Sequence, residues 1–232
     1  MQPYAFPYIG YFQLLQAVDT FVFYDDVNFI KQGWVNRNRI LVNGSEFLFT
    51  IPLEQISSYT EIRDTQLHKK GYGLWKNKFC KTLSQSYKKA AYYNAVMPMI
   101  LEIIHSDLDT IAELAQMSIT TISRYLKLDT SFEISSQRFA DSKGLDKADR
   151  LIHISKKLSA SNYINFIGGE ELYSKEYFSQ RGIQLDFIRP SADIRYTQFE
   201  NRDFVPWLSI IDVMMFNSPE QICEMLKRCK FS

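Results

Sequence analysis

The chain has 232 residues, 46% hydrophobic and 23% charged, with 27 basic against 26 acidic side chains and a formal net charge of +1. This is the composition of an ordinary globular protein, long enough for one large domain or for one domain with an insertion, and it argues against a disordered chain. The near-neutral balance does not call for a broad nucleic-acid-binding surface, although a local basic pocket for an anion remains compatible with it. Cys80, Cys223 and Cys229 form neither an even disulfide set nor a paired metal-ligand motif, and reduced thiols are expected. There is no signal-peptide pattern, and no apolar run reaches the roughly 20 residues that a membrane span needs. A cytoplasmic protein without a transmembrane segment is the expectation.

Reading along the chain, residues 8–18 place Ile9, Phe12, Leu15 and Val18 at helical spacing, and 20–24 form a short aromatic and β-branched strand. Residues 39–42 and 47–51 predict a hairpin, because Asn43-Gly44 supplies the positive φ angles of a tight turn. A further strand near 61–67 is expected in an otherwise loop-rich stretch. Residues 75–105 read as helical with an interruption near Pro98, and 111–126 as another helix; together 75–128 form an expected helical insertion or subdomain within a single 1–232 domain. The last third alternates: strand 131–134, helix 147–158, strand 162–166, helix 170–180, strand 183–188, then helices 209–216 and 220–230. Alternation of this kind predicts an α/β fold, a mostly parallel central sheet flanked by helices. Ser218-Pro219 is a good start for the last helix, with serine as cap and proline in the first turn.

The first 39 residues hold the densest mixture of aromatic, acidic, basic and amide side chains, too polar for plain core and too irregular for one face of a helix or strand. Asp25 and Asp26 follow the first strand, where α/β folds place their ligand crevice. Side chains alternate along a strand, so only one of the two carboxylates would face a ligand and the other would pair with a cation. Such an Asp suits deprotonation of an amine or hydroxyl nucleophile, and Lys31, Arg37 or Arg39 suits a phosphate; an ion-paired strand end is the plain alternative. Trp34 offers a stacking face, and Asn36 and Asn38 offer donor and acceptor edges, unless they are a packed indole and turn-forming amides. Arg37 and Arg39 would share one strand face. Pro3 and Pro7 stiffen the opening, so that Gln2, Tyr4, Tyr8 and Tyr11 stand near a ligand, with Gly10 permitting close backbone approach.

Later in the chain, Tyr196, Gln198 and Asp212 are candidates to complete the pocket, and Asp212, inside an apolar run, requires a specific partner if buried. Lys156-Lys157 and Gly168-Gly169 are weaker phosphate candidates, the lysines more simply read as a helix C-terminus. His68, His105 and His153 form no ligand set, and no metal site or cofactor is assigned.

These residues resemble the WbqC-like protein family. The resemblance rests on Gln2-Pro3-Tyr4 with Phe6-Pro7-Tyr8-Ile9-Gly10-Tyr11-Phe12, on Tyr24-Asp25-Asp26-Val27, and on Lys31, Gly33-Trp34 and Asn36-Arg37-Asn38-Arg39-Ile40. It continues in Gly168-Gly169, Tyr196-Thr197-Gln198-Phe199 and Phe204-Val205-Pro206 with Leu208-Ser209-Ile210-Ile211-Asp212. It implies a role in bacterial surface-polysaccharide or O-antigen biosynthesis, with acyl or aminoacyl (glycine among the options) transfer to an amino sugar. The implied partners are a nucleotide-linked or lipid-linked amino sugar and an activated acyl or aminoacyl donor. The resemblance also implies a short apolar strand before the Gln-Pro block; if Met1 is an internal start or the chain is truncated there, the sheet would lose an ordered strand beside the site.

Two other functions stay open at this stage. Tyr8-Ile9-Gly10-Tyr11 is similar in spacing to the His-x-Gly-His turn of class I nucleotidyltransferases, without either histidine, and with Lys156-Lys157 it suggests a nucleotide-dependent activating enzyme or nucleotidyltransferase. A non-catalytic sugar-nucleotide-binding protein is the third reading.

Overall fold

The structure, a computed structural model, describes residues 1–191, 193–199 and 203–232. The opening block leads into helix α1 (Ile9–Gln16) and strand β1 (Thr20–Phe23). The hairpin β2 (Arg37–Val42) and β3 (Ser45–Thr50) follows, with Asn43 and Gly44 at φ 54° and 81° between them. Those two positive angles are what a two-residue hairpin turn requires, so the Asn-Gly reading holds. Helices α2 (Lys69–Tyr87), α3 (Tyr93–His105) and α4 (Ile111–Tyr125) come next. The last third comprises β4 (Ser131–Ile134), α5 (Ser135–Arg138), α6 (Lys147–Lys157), β5 (Asn162–Phe166), α7 (Lys175–Ser179), β6 (Gln184–Pro190), α8 (Ile210–Phe216), α9 (Pro219–Leu226) and β7 (Cys229–Phe231).

The fold is α/β with parallel pairing. β1 runs parallel to β4, from Thr20↔Ser131 to Phe23↔Ile134, and β5 runs parallel to β6, from Asn162↔Gln184 to Phe166↔Ile188. In place of one central sheet, the described residues form separate ladders: β1–β4, β5–β6–β7 and the β2–β3 hairpin, which pairs only with itself. Between β1 and β5 lies a cavity of about 390 Å³, lined by both strands.

Several boundaries differ from the sequence reading. The helical stretch breaks at 88–92, not at Pro98, which α3 accommodates; Tyr92 N–H donates to Met215 C=O at 3.0 Å, anchoring the break on α8. Residues 61–67 make a 3₁₀ turn over Ile62–Asp64 and isolated bridges, because their backbone bonds go to three different partners, Asn28, Leu53 and Thr110. Helix α7 starts late, at its Ser174 cap, and α9 stops at Leu226 so that β7 can pair antiparallel with β6. Ser218 caps α9 with Pro219 in its first turn and Gln221 closing a capping box.

The core explains how these elements hold the opening block in place. Phe6, Tyr11, Phe12 and Leu15 are buried with Phe21 and Phe23 of β1, with Ile111 to Ile122 on α4 and with Ile210 to Met215 on α8, in one continuous apolar cluster. The middle helices therefore share the core of the opening block. A smaller cluster, Ile152, Phe178, Ile183, Leu185 and Phe187, packs α6 and α7 against β6. No helix among the described residues is long and apolar enough to cross a membrane.

Candidate functional site

The site is built around a strained turn. Phe6 is buried with φ 50°, a left-handed conformation that costs a non-glycine residue about 1–3 kcal/mol. Three side chains from distant elements hold it there. Its N–H donates to Ser118 Oγ at 3.1 Å, and its C=O accepts from Asn38 Nδ2 and from Ser209 Oγ, each at 2.7 Å. Pro7 C=O then accepts from Ile210 N–H at 2.8 Å, and Ser209 N–H donates to Arg39 C=O at 2.7 Å. The opening block, β2 and the start of α8 are thereby fastened at one point.

Above this junction lies a cleft of about 360 Å³ lined by Met1, Tyr4, Pro7, Tyr8, Tyr11, Trp34, Asn38, Arg39, Phe166 and Trp207. It sits past the carboxyl end of β5, where α/β folds place ligands. Trp34 and Trp207 are the exposed rings, at 43% and 47% of their full accessibility. Arg37 and Arg39, two apart on β2, both stand over the Trp34 ring, with guanidinium carbons 5.8 and 5.4 Å from its centroid. Trp207, itself at φ 59°, is 6.1 Å from the Tyr8 ring, which also contacts Phe166 at 6.5 Å.

Among the described residues, the cleft is lined by the Arg39 cation, three phenols and Met1, whose amino group burial lowers to about 5. Arg39 Nη1 pairs with Glu46 at 2.7 Å, while its Nε is buried and takes no hydrogen bond among the described residues. Nε is enclosed by protein, but the Arg39 side chain keeps 29% of its exposure, so an anion in the cleft can meet the guanidinium. Burial raises the Tyr4 phenol; Tyr8 is pushed up to about 12 by burial and then by Tyr4, and Tyr11 rises further still. These phenols stay protonated donors and do not act as bases near neutral pH.

The structure brings together Tyr4, Tyr8, Tyr11, Trp34, Asn38 and Arg39 of the expected site residues. Gln2 braces them from behind: its C=O accepts from Tyr11 Oη at 2.9 Å, and its Oε1 from Tyr4 Oη at 3.5 Å. Gly10 does the same by omission, since a Cβ there would meet the Tyr8 ring at 2.3 Å. Asn36 Nδ2 donates to Ile51 C=O at 2.8 Å, so both Asn36 and Asn38 serve the backbone. Arg37 also binds the Gly33 and Gln32 carbonyls, which fixes the loop carrying Trp34; Lys31 is exposed on that loop.

The acidic pair is elsewhere. Neither Asp25 nor Asp26 lines the cleft. Asp25 accepts from Ser136 N–H at 3.0 Å and Ser136 Oγ at 2.7 Å at the start of α5; burial still raises its carboxyl above the usual range. Asp26 Oδ2 pairs with buried Arg150 of α6 at 2.5 Å, and that guanidinium stands 4.4 Å over the Tyr24 ring. Of the expected split, the cation pair is present at Asp26–Arg150, while Asp25 accepts from Ser136 and neither carboxylate lines this cleft.

Tyr196, Gln198 and Asp212 do come together, behind the cleft wall and not on it. Asp212, fully buried, accepts from Tyr196 Oη at 2.6 Å, Gln198 Nε2 at 2.9 Å and Tyr87 Oη at 2.7 Å. These are the partners its burial demanded. Burial nonetheless raises the Asp212 carboxyl, against the lowering effect of the three donors. Gln198 also exchanges two bonds with the Val205 backbone, so the cluster anchors the segment that presents Trp207.

Met1, Pro7, Phe166 and Trp207 are lining residues that the sequence reading did not select. Trp207 had a usable signal, an indole directly after Pro206 and before a buried helix start; Phe166 had none beyond its place at a strand end. Two of the weaker phosphate candidates make contacts of their own. Lys157 pairs with Asp141 at 2.6 Å, and Gly169 leaves room for the Asn165 side chain. No group of metal-ligating residues is found among the described residues.

An α/β scaffold with an aromatic, arginine-bearing cleft outside its parallel strands is the kind of architecture that takes a small, ring-bearing ligand. The chain belongs to the WbqC-like protein family, whose sequence profile matches residues 2–224. It is similar to the uncharacterized protein Rv1507c of Mycobacterium tuberculosis (strain ATCC 25618 / H37Rv), with 26% identity over 230 residues, covering 97% of this chain and 94% of that relative. No solved structure matches it.

Proposed function

We propose that the cleft binds a phosphate-linked amino sugar and that the chain transfers an acyl or aminoacyl group to it in bacterial surface-polysaccharide assembly. The observation that carries the binding half is the pairing of two exposed indoles, Trp34 and Trp207, with the partly exposed Arg39 guanidinium. Indole faces suit the apolar face of a sugar ring or a base, and the guanidinium suits a phosphate. In the transfer, the sugar amine forms the new C–N bond at the donor's carbonyl carbon. The donor's leaving group departs with the bonding pair, and the amine proton goes to it or to water. With the cleft phenols held protonated, the wall positions and polarises, and the amine must arrive deprotonated.

The test is binding followed by turnover. Nucleotide-linked amino sugars are titrated into the protein by calorimetry, then incubated with thioester and aminoacyl donors and weighed by mass spectrometry. Saturable binding and an acyl mass gain are expected; binding without any mass gain across the donor panel rejects transfer. The same tyrosines favour a second reading, a sugar-nucleotide-binding protein without turnover, because burial holds the Tyr8 and Tyr11 phenols protonated near neutral pH. Lack of any saturable binding rejects both.

A further inference from the structure

Charge is spread unevenly along the chain. Between Asp64 and Glu102 there are seven lysines and not one acidic side chain or arginine. Taking those seven from the 27 basic side chains leaves the rest of the chain acidic, with its 26 carboxylates. The near-neutral total thus conceals a strongly basic segment, which is helix α2 and the turn after it.

The fold presents this charge on one face. Tyr72, Phe79, Leu83 and Tyr87 turn α2 toward the core, where Tyr72 Oη donates to Ile104 C=O at 2.9 Å and Tyr87 Oη to Asp212 at 2.7 Å. With that side fixed, the opposite side repeats Lys70, Leu74, Lys78 and Lys81, with Lys88 at the C-cap. All five are exposed, and Leu74 keeps 75% of its accessibility. No α2 lysine forms an ion pair among the described residues.

This pattern does not serve the helix itself. Lys69 and Lys70 sit in the first turn, where the macrodipole favours carboxylates and none is present. Lys78 and Lys81 are like charges three residues apart, which repel. An exposed leucine among cations leaves apolar surface in water. The same features suit a planar anionic surface, where ammonium groups meet headgroup phosphates while their stems and Leu74 lie against the apolar layer below. Nucleic acid fits less well. The face has no arginine fork, and the indole of α2, Trp75, is stacked inward on Tyr72 and Phe79.

We propose that the outer face of α2 docks on acidic phospholipid headgroups and holds the chain at a membrane surface, with Leu74 as its apolar prong. No α2 residue lines the aromatic cleft, so this surface and the ligand reading stand or fall separately.

Flotation of the full chain tests it, with vesicles of phosphatidylcholine alone and of a three-to-one mixture with phosphatidylglycerol. Binding is expected on the anionic vesicles only, weakening steeply with salt. Each lysine at such a surface contributes about fivefold, so Lys70→Gln, Lys78→Gln and Lys81→Gln together should weaken binding roughly a hundredfold. The same charge removed at exposed Lys147, Lys175 and Lys230 should weaken it far less. Leu74→Ser should weaken binding with its salt dependence kept, and a dye on Leu74→Cys should shift to the blue on anionic vesicles. All these side chains are exposed, so circular dichroism should show an unchanged fold. No binding to the anionic vesicles, equal binding to both kinds, or equal loss in the two triple variants overturns the proposal. So does tighter binding to a single-stranded oligonucleotide than to the vesicles, which would assign the face to nucleic acid.

Discussion

The Tyr8 ring lies where a Cβ on Gly10 would stand, with ring carbons 2.3 and 2.5 Å from that point. Gly10 is the second residue of α1, and in an ordinary helix Gly→Ala there gains up to about 1 kcal/mol. Here the opposite sign is expected. Gly10→Ala must expel the Tyr8 ring from between Phe166 and Trp207 or strain the helix start, at a cost of about 1–3 kcal/mol. Urea unfolding measures the stability change, and loss of ligand binding reports the displaced wall. A stabilised variant that still binds would show that the Tyr8 position is incidental.

Arg39 should dominate anion recognition. Removing it takes away a charge-assisted hydrogen bond worth about 1.5–3 kcal/mol, or roughly ten- to hundredfold in affinity. Arg39→Lys should rescue poorly, because an ammonium cannot both pair with Glu46 and present a planar donor edge above Trp34. Trp34→Ala should weaken binding without altering its salt dependence, whereas Arg39→Ala should flatten that dependence. Calorimetry with a nucleotide sugar at two ionic strengths separates the two.

The opening block stands out in the sequence because its residue types are expensive to assemble without a reason, and six of the candidate side chains line one cleft. The hairpin turn and the cap of α9 were legible because Asn43-Gly44 and Ser218-Pro219 act within a few residues. What the sequence did not disclose depends on long-range partners. The sequence leaves one of Asp25 and Asp26 free to face a ligand, yet Ser136 and Arg150, more than a hundred residues away, engage both. Tyr196, Gln198 and Asp212 belong together as expected, but whether they face a cavity or stand behind its wall is decided by Tyr87 and the Val205 backbone.

The Asp26–Arg150 pair gives a test of structural against catalytic duty. Removing one partner of a buried ion pair leaves an uncompensated charge and costs about 3–5 kcal/mol. Arg150→Met should therefore destabilise strongly, and Asp26→Asn combined with Arg150→Met should cost clearly less than the sum of the single changes. Asp26→Asn alone should lower the melting temperature and leave ligand affinity at ambient temperature intact. An Asp26→Asn protein with unchanged melting but no turnover would instead place that carboxylate in the chemistry.

Asp212 sets a pH dependence whose sign runs opposite to that of an ordinary paired carboxylate. Its folded-state pKa is raised above the usual 3.8, burial outweighing the three donors. A raised folded value means that the protonated form is favoured by folding. Its contribution is therefore fully present below pH 3.8 and is lost as pH rises through the folded value. Asp212→Asn keeps a side-chain acceptor for one of the phenols and cannot ionise. The stability of the native chain relative to this variant should fall as pH is raised from about 4 toward neutrality and then level off. Urea unfolding of both proteins at a series of pH values measures the difference directly. A difference that grows with pH would mean that Tyr87, Tyr196 and Gln198 overcome burial and that Asp212 is held as the anion.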